Sequence, residues 1–388
     1  MDKYKNIIMK NIRKYAMVIA LVFIVALFQV LTDGILLKPI NVTNLILQNS
    51  YILILAVGML LVIITGNVDL SVGSVVALVG AVAANLMIVQ EMHVVPVILI
   101  SLIIGALVGA WHGFWISYVK IPAFIVTLSG MLLFRGLTLV ILKGQTLAPF
   151  DSSYQIFSSG FIPDFLNGNS IHLVTIVVGI VFSLAYIYAE YNKIKKQKKY
   201  GFEKKLTKGA IIKHIGIIFA INALTYSLAA YKGAPNVLVL LFVLIVIYTF
   251  IANKTTLGRY IYALGGNEKA ARLSGIKTKA TLFWVYVNMG LLTAVAGIVF
   301  SGRLNAAMPR AGTGFELDAI AACYIGGASA SGGVGTVIGA IIGGLVMGVL
   351  NNGMSILGVG IDWQQAIKGL VLLVAVAFDA YTKSKVKN

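Results

Sequence analysis

Twelve apolar stretches fix the architecture of this chain before any motif is considered. They fall near residues 15–31, 45–65, 71–90, 94–118, 122–142, 171–190, 211–230, 235–252, 281–301, 317–330, 334–355 and 365–381. A helix of about 20 apolar residues crosses a bilayer core about 30 Å thick. Inside hydrocarbon every backbone N–H and C=O needs an internal partner. Stretches of this kind therefore fold as transmembrane helices, and the chain is expected to be an all-α, polytopic integral membrane protein. Composition leaves no soluble alternative, since 59% of the 388 residues are hydrophobic and 11% are charged, against about 25% charged in soluble domains. The first stretch is long for a signal peptide and shows no small-residue cleavage site, so it reads as the first span. The stretch 317–330 is short and reads as a broken or re-entrant helix, so the chain reads as up to twelve spans in one transmembrane domain, 1–388.

The net charge of +18 invites a nucleic-acid partner, but its distribution points to orientation instead. Of the 31 Lys and Arg, 24 fall in 1–14, at Lys120, in 192–213, in 253–281 and in 382–388. Lys38, Lys143, Lys232, Arg303 and Arg310 fall on the opposite side, and Arg135 and Lys368 lie within spans. Such asymmetry assigns the Lys-rich side, with both termini, to the cytoplasm, and it favours anionic lipid. Residues 192–213, with nine lysines, read as a hydrophilic, mobile cytoplasmic insertion. The lone Cys323 excludes an internal disulfide, and the four scattered histidines suggest no metal site.

The polar segment 253–281 is the most informative interruption. Within Thr256–Ile276 (TLGRYIYALGGNEKAARLSGI), Gly265 and Gly266 are expected to break any preceding helix. Asn267 can cap the next one, Glu268 suits its positive end and Gly275 stops it. The result is a short helix, Glu268 to Ser274, with Ala270, Ala271 and Leu273 as a compact apolar surface. Such a helix can dock into a groove on a partner, or lie on lipid as an amphipathic connector.

Three further motifs carry polar groups into the apolar bundle. In Gly66–Ser74 (GNVDLSVGS) the glycines permit unusual backbone, and Asp69 and Ser71 can cap the following helix. The segment is either a tight turn or a broken membrane helix whose irregular backbone lines a polar path under protein or water cover. In Ile121–Gly130 (IPAFIVTLSG) Pro122 suits the first helical position, and Phe124 and Thr127 follow it. Arg135 lies about 20 Å further along, where it must line a path, brace a neighbour or snorkel outward. In Ile325–Gly339 (IGGASASGGVGTVIG) a phosphate loop fails, because no G-x-x-x-x-G-K is present. Its glycines, with Gly343, Gly344 and Gly348, recur every four residues and let helices approach closely. Asn351, Asn352 and Trp363 lie beyond, the last as an ordinary interfacial anchor. The loop 143–170, with Gln145, Asp151, Tyr154, Asn167 and Asn169, is a surface loop, a contact for a binding protein or a cap over the exit.

These blocks, in this order, resemble the sugar permease subunits of bacterial ABC importers, the branch that carries ribose, xylose, arabinose and galactose. The likeness runs from about Leu45 to Asp379, interrupted around 150–250, and its C-terminal block includes Trp363-Gln364-Gln365. Asn67 and Val68 stand between the first glycine and Asp69 as a variation on the family pattern. The chain's length is closer to the xylose and multiple-sugar permeases. The resemblance implies an ABC importer permease fold in the bacterial inner membrane, usually of about ten spans, which sets the expected count at roughly 10–12, and a chain that is not itself an enzyme. It implies a separate ATPase of two fused nucleotide-binding domains holding ATP and Mg, an extracytoplasmic sugar-binding protein and a permease homodimer. It further implies that 253–281 is a coupling loop acting through Gly258, Arg259, Gly265, Gly266, Asn267, Glu268, Ala270, Ala271, Leu273 and Gly275. The translocation pathway is expected at Asn67, Asp69, Ser71, Phe124, Thr127, Arg135, Asn351 and Asn352, with Asn288 and Asn305 as further amides suited to sugar hydroxyls. Rival readings are an ion-coupled secondary transporter, disfavoured because Glu190, Asp318 and Asp379 lie near span ends, an ABC permease for nucleosides or branched-chain amino acids, and a non-transporting receptor.

Overall fold

A computed structural model of the chain describes residues 2–168, 170–199 and 208–387. Among these, the regular structure is helical: α1 (Asp2–Leu31), α2 (Pro39–Ile64), α3 (Val72–Ala84), α4 (Val94–Ser117), α5 (Ala123–Leu142), α6 (Ser152–Ser159), α7 (Leu173–Lys199), α8 (Lys208–Ala229), α9 (Asn236–Lys254), α10 (Thr256–Gly266), α11 (Glu268–Leu273), α12 (Thr278–Leu304), α13 (Phe315–Ile325), α14 (Val337–Ile356) and α15 (Ile361–Lys387). A π-helical turn, Asn85–Val89, prolongs α3. Nine described helices are long and apolar enough to cross a membrane: α2, α3 with its π turn, α4, α5, α7, the Ile211–Ala229 part of α8, α9, α12 and α14. This is a multi-pass membrane protein. The difference from the 10–12 spans expected lies in three segments. Among the residues whose side chains are described, α1 offers the apolar helix Met17–Leu31, the stretch 317–330 becomes the 11-residue α13 followed by turns, and 365–381 lies within α15.

The chain divides into two compact units, the first comprising residues 1–36, 45–159 and 237–388 and the second 37–44 and 160–236. In the first, α2 is buried on every face from Ile52 to Ile64. Apolar burial gives helices no net drive to associate in lipid, so close van der Waals approach has to hold them. Glycines supply it. A Cβ at Gly290 of α12 would stand 2.1 Å from the carbonyl oxygen of Gly105 and 2.7 Å from the nitrogen of Gly109 on α4. The four-residue spacing of Gly105, Gly109 and Gly113 in the sequence provides this small face on α4. The small faces anticipated in 335–348 do pack in this way: a Cβ at Gly343 of α14 would lie 2.0 Å from the Ala322 carbonyl oxygen of α13.

The helix α6 packs its Tyr154 beneath α12, fully buried, with the hydroxyl 3.0 Å from Ser301 Oγ. Asn305 Oδ1 accepts from the Phe150 N–H at 2.7 Å and from Gln155 Nε2 at 3.0 Å. Tyr154 is thus core, not a contact surface, and Asn305 is occupied in holding this loop.

In the second unit α7 and α8 pair antiparallel. Asn222 Nδ2 donates to Ser183 Oγ at 2.8 Å, and the Tyr186 hydroxyl lies 2.7 Å from His214 Nδ1. The insertion 192–213 was expected to be a loop, yet α7 runs on to Lys199 and α8 begins at Lys208. Lysine is a good helix former, and Lys193 pairs with Glu190 one turn back at 3.2 Å. Residues 200–207 of the insertion, and Asn169 of the 143–170 loop, lie outside the described residues.

Asp164 organises the approach to α7. Its carboxylate accepts from the backbone N–H groups of Leu166, Gly168, Leu173 and Val174 at 3.0–3.3 Å. Partial desolvation pushes its pKa up, but the bonds from Val174, Leu173, Gly168 and Leu166 more than offset this and hold it below the usual carboxylate value. A depressed carboxylate stabilises the folded loop above its unfolded pKa, about 3.9, and the contribution is lost as pH falls through the lower folded value. Amide exchange at Gly168, Leu173 and Val174 is therefore expected to accelerate in that acid window in the wild type and already at neutral pH in Asp164→Asn. Unchanged protection in Asp164→Asn would rule out this role.

Candidate functional site

The end of α9 turns directly into α10. Thr255 caps α10, its hydroxyl accepting from the Gly258 N–H at 3.1 Å. Gly258 sits against the Ile251 and Ala252 carbonyls, where a Cβ would stand 2.3 and 2.5 Å away. Arg259 is exposed on the same helix. The expected break at Gly265 and Gly266 falls one residue later, since both glycines are the last residues of α10 and Asn267 adopts an extended conformation. Its side chain accepts from the Ala270 N–H at 3.0 Å and starts α11, and Gly275 closes that helix with φ +84°. The short helix anticipated from Glu268 to Ser274 is present to within one residue. Its apolar surface is divided, however: Ala271 is buried against the body of the protein, whereas Ala270 is exposed and Leu273 is 86% exposed.

The glycines of α10 and of the loop between α13 and α14 meet the end of α2. The Gly333 N–H donates to the Ile64 carbonyl at 2.8 Å. A Cβ on Gly265 would stand 1.6 Å from that same oxygen and 2.7 Å from the Gly333 nitrogen. A Cβ on Gly332 would lie 3.0 Å from the Gly66 nitrogen and 2.9 Å from the Gly265 carbonyl oxygen. The Tyr262 hydroxyl donates to the Gly335 carbonyl at 2.7 Å. Lys120, two residues before Pro122, pairs with Glu268 at 3.3 Å. Three of the sequence motifs therefore converge on one backbone junction, and Lys120, just before the fourth, reaches the neighbouring α11 through its side chain. Beside it a groove of about 350 Å³ opens, with Tyr118, Lys120, Glu268, Arg272, Lys277 and Lys279 along its wall.

Beyond Ile64 the chain runs without helix to Val72. Asn67 Nδ2 donates to the carbonyl and hydroxyl of Thr65 at 3.3 and 3.1 Å. The buried Asp69 carboxylate accepts from the Ser71 N–H at 2.9 Å and the Ser71 hydroxyl at 2.6 Å. Ser71 precedes α3 but makes no capping bond of its own, so the two residues expected to cap α3 bond to each other instead. Tyr286 of α12 covers the stretch, its hydroxyl donating to the Val68 carbonyl at 3.4 Å. Residues 65–71 thus form an irregular connection between the two crossing helices α2 and α3, opened by a turn in which the Gly66 and Asn67 N–H groups donate to the Ile63 and Val62 carbonyls at 2.9 and 3.3 Å.

The pathway candidates separate. Phe124 is 54% exposed on the chain's surface. The Thr127 hydroxyl is bonded to the Ala123 carbonyl at 2.9 Å. Arg135 Nη1 donates to the carbonyls of Pro309 and Ala311 at 3.1 and 2.5 Å and so braces the loop after α12. Asn288 Oδ1 accepts from the Tyr248 hydroxyl. Asn351 and Asn352 share a cavity of about 270 Å³ with Gln48, Asn49, Tyr51, Arg303 and Ser355. These last five were missed in the sequence, although the polar run Gln48-Asn49-Ser50 inside an apolar span was a signal. Tyr51 is fixed by stacking on Phe315 at 4.4 Å and by an edge contact with Phe300 at 4.8 Å. Asn49, ten residues into α2, lies about 22 Å from Ile64 at 1.5 Å per residue, so one buried helix links cavity and junction. Among the described residues no group of three His, Cys, Asp or Glu could hold a metal ion.

The family model described as branched-chain amino acid transport system, permease component, matches residues 41–376. The xylose transport system permease protein XylH of Haemophilus influenzae is 38% identical over 99% of this chain and 100% of its own length. XylH of Escherichia coli is 38% identical over 97% of this chain and 93% of its own. The ribose import permease protein RbsC of Escherichia coli is 37% identical over 87% and 85%. No solved structure matches the chain.

Proposed function

We propose that this chain, which belongs to the family of branched-chain amino acid transport system permease components, is the membrane subunit of an ATP-driven importer of a monosaccharide. The observation that carries the reading is near-full-length similarity to xylose and ribose permeases. The junction gives it a mechanism. Leu273 and Ala270 present a small apolar tip on α11, beside a groove rich in Lys and Arg. A partner ATPase offering an apolar cleft with an acidic rim would fit this surface. Motion of α11 then passes through Gly265 to the end of α2 and along that helix. ATP and Mg reside on the ATPase, which in this reading carries two fused nucleotide-binding domains. A sugar-binding protein delivers cargo outside, two permeases pair, and both termini face the cytoplasm in the bacterial inner membrane.

The Lys120–Glu268 pair is exposed at both ends, and such pairs contribute about 0–1 kcal/mol. Glu268→Lys is therefore expected to leave thermal unfolding of the purified chain unchanged while ATP-driven xylose uptake by the reconstituted complex falls severalfold. Equal uptake in both proteins would remove Glu268 from the coupling surface. Import of xylose or ribose that stops on ATP depletion but survives a protonophore tests the whole reading. The reverse pattern would favour the ion-coupled alternative, for which the buried Asp318–Lys368 pair is the arrangement on hand.

A further inference from the structure

The cavity between α2, α12 and α14 has the chemistry of a binding site, and its size narrows the ligand. Its volume of about 270 Å³ sits just below the roughly 300–1,000 Å³ of pockets that hold drug-sized molecules. A single five- or six-carbon sugar is of that smaller size. The wall is amide, phenol and guanidinium: Gln48, Asn49, Tyr51, Arg303, Asn351 and Asn352. Carboxamides both donate and accept, which suits hydroxyl groups that do the same. Arg303, half-buried, has no carboxylate within ion-pair reach among the described residues. The Asn351 Oδ1 atom is buried without a hydrogen-bond partner. A buried acceptor left unsatisfied costs about 1–3 kcal/mol, and a ligand hydroxyl would satisfy it after a small turn of the side chain.

The same lining argues against an amino acid. A zwitterion could place its carboxylate on Arg303, but its ammonium group would face no carboxylate, since none lines the cavity. A branched aliphatic side chain would lie against amides. A purine or pyrimidine nucleoside would need an aromatic face, and the ring of Tyr51 is already engaged by Phe315 and Phe300.

We infer that this cavity is a sugar subsite within the permease itself, which holds one monosaccharide during passage and adds a selectivity step of its own. The inference rests on the importer reading above and extends it, because an importer could equally pass cargo through a channel without any such subsite.

Labelling chemistry is favourable for a test. The single native cysteine, Cys323, is fully buried, with its Sγ against the Ala56 carbonyl oxygen, so background reaction is low. Ser355 is exposed at the cavity's edge, which makes Ser355→Cys a mild change. The permease–ATPase complex bearing Ser355→Cys, in proteoliposomes without binding protein, is treated with a small hydrophilic thiosulfonate while D-xylose, D-ribose or L-leucine is titrated in. Saturating xylose or ribose is expected to slow labelling about tenfold, leucine not at all, and Ser152→Cys at the exposed start of α6 is expected to show no sugar effect. Adding Gln48→Leu to Ser355→Cys is expected to raise the half-protecting sugar concentration about tenfold, equivalent to one lost hydrogen bond of about 1.4 kcal/mol. If the complex imports sugar but no sugar slows the labelling of Ser355→Cys, the subsite is overturned and the importer stands. Protection by leucine alone, or failure of the complex to import any sugar once an extracytoplasmic sugar-binding protein is supplied, overturns both.

Discussion

With Gly265 replaced by alanine, ATP-driven sugar uptake is expected to fall about tenfold or more, whereas Gly266→Ala is expected to stay near the wild-type rate. The new methyl group at 265 would stand 1.6 Å from the Ile64 carbonyl oxygen and 2.7 Å from the Gly333 nitrogen. Both obstacles are backbone, so no side chain can rotate aside, and α10 must move off the end of α2. Overpacking typically costs about 1–3 kcal/mol, and here that strain falls on the contact proposed to carry motion inward. At Gly266 an added Cβ meets nothing within 4 Å. Alanine also propagates a helix better than glycine. Read from the sequence the two glycines are equivalent helix breakers; in the fold one is a contact and the other is a surface position. Uptake assayed with unfolding temperature separates the cases, and equal activity in both variants would refute a coupling role for the junction.

Lys368→Met is expected to destabilise the protein by about 3–5 kcal/mol, the range for removing one partner of a buried ion pair. Asp318 is 7% exposed and receives Lys368 Nζ at 3.0 and 3.2 Å on its two carboxylate oxygens. Without the lysine a carboxylate is left in the bundle among α13, α14 and α15. The double variant Asp318→Asn with Lys368→Met removes both charges and is expected to recover most of the loss, because paired replacement of buried ions is often close to neutral. Denaturation in detergent across the four proteins of this cycle gives the coupling energy. A double variant no more stable than Lys368→Met would show that the pair is not what holds α15 to α13.

Hydropathy placed the membrane helices because burial in lipid is a property of each segment by itself. Every crossing helix in the structure overlaps an apolar stretch read from the chain, and α13, flagged as too short, is short. The α11 cap was equally legible, since Asn267, Glu268 and Gly275 act within one turn of their own positions. What the sequence does not show depends on distant partners. Arg135 and Asn305 have the chemistry of pathway residues, but in the fold Arg135 donates to the Pro309 and Ala311 carbonyls and Asn305 accepts from the Phe150 N–H and the Gln155 amide. Asp318 lies in the first turn of α13, as its place near the end of an apolar stretch implies, but its burial against Lys368, fifty residues away, is not visible in the sequence. Gln48, Asn49 and Tyr51 gain meaning only when α12 and α14 bring Arg303 and Asn351 opposite them. Lysine-rich residues 192–199 were read as loop from charge alone, whereas their side chains are compatible with continuing α7.

The junction at Ile64, Gly265 and Gly333 is made of main-chain atoms, and this bears on how the protein can change. A side-chain contact can be rebuilt by a second substitution: exchanging Lys120 and Glu268 restores an ion pair of opposite polarity. A peptide group pressed against a peptide group offers no complementary replacement, since every residue type other than glycine adds the same Cβ. Losses at Gly265 should therefore resist suppressors at the contact itself, and revertants recovered by selection should be true glycine reversions or changes that shift a whole helix. The exposed α11 tip, by contrast, can drift together with whatever protein it touches, so partner choice and the internal relay behind it are free to evolve at different speeds.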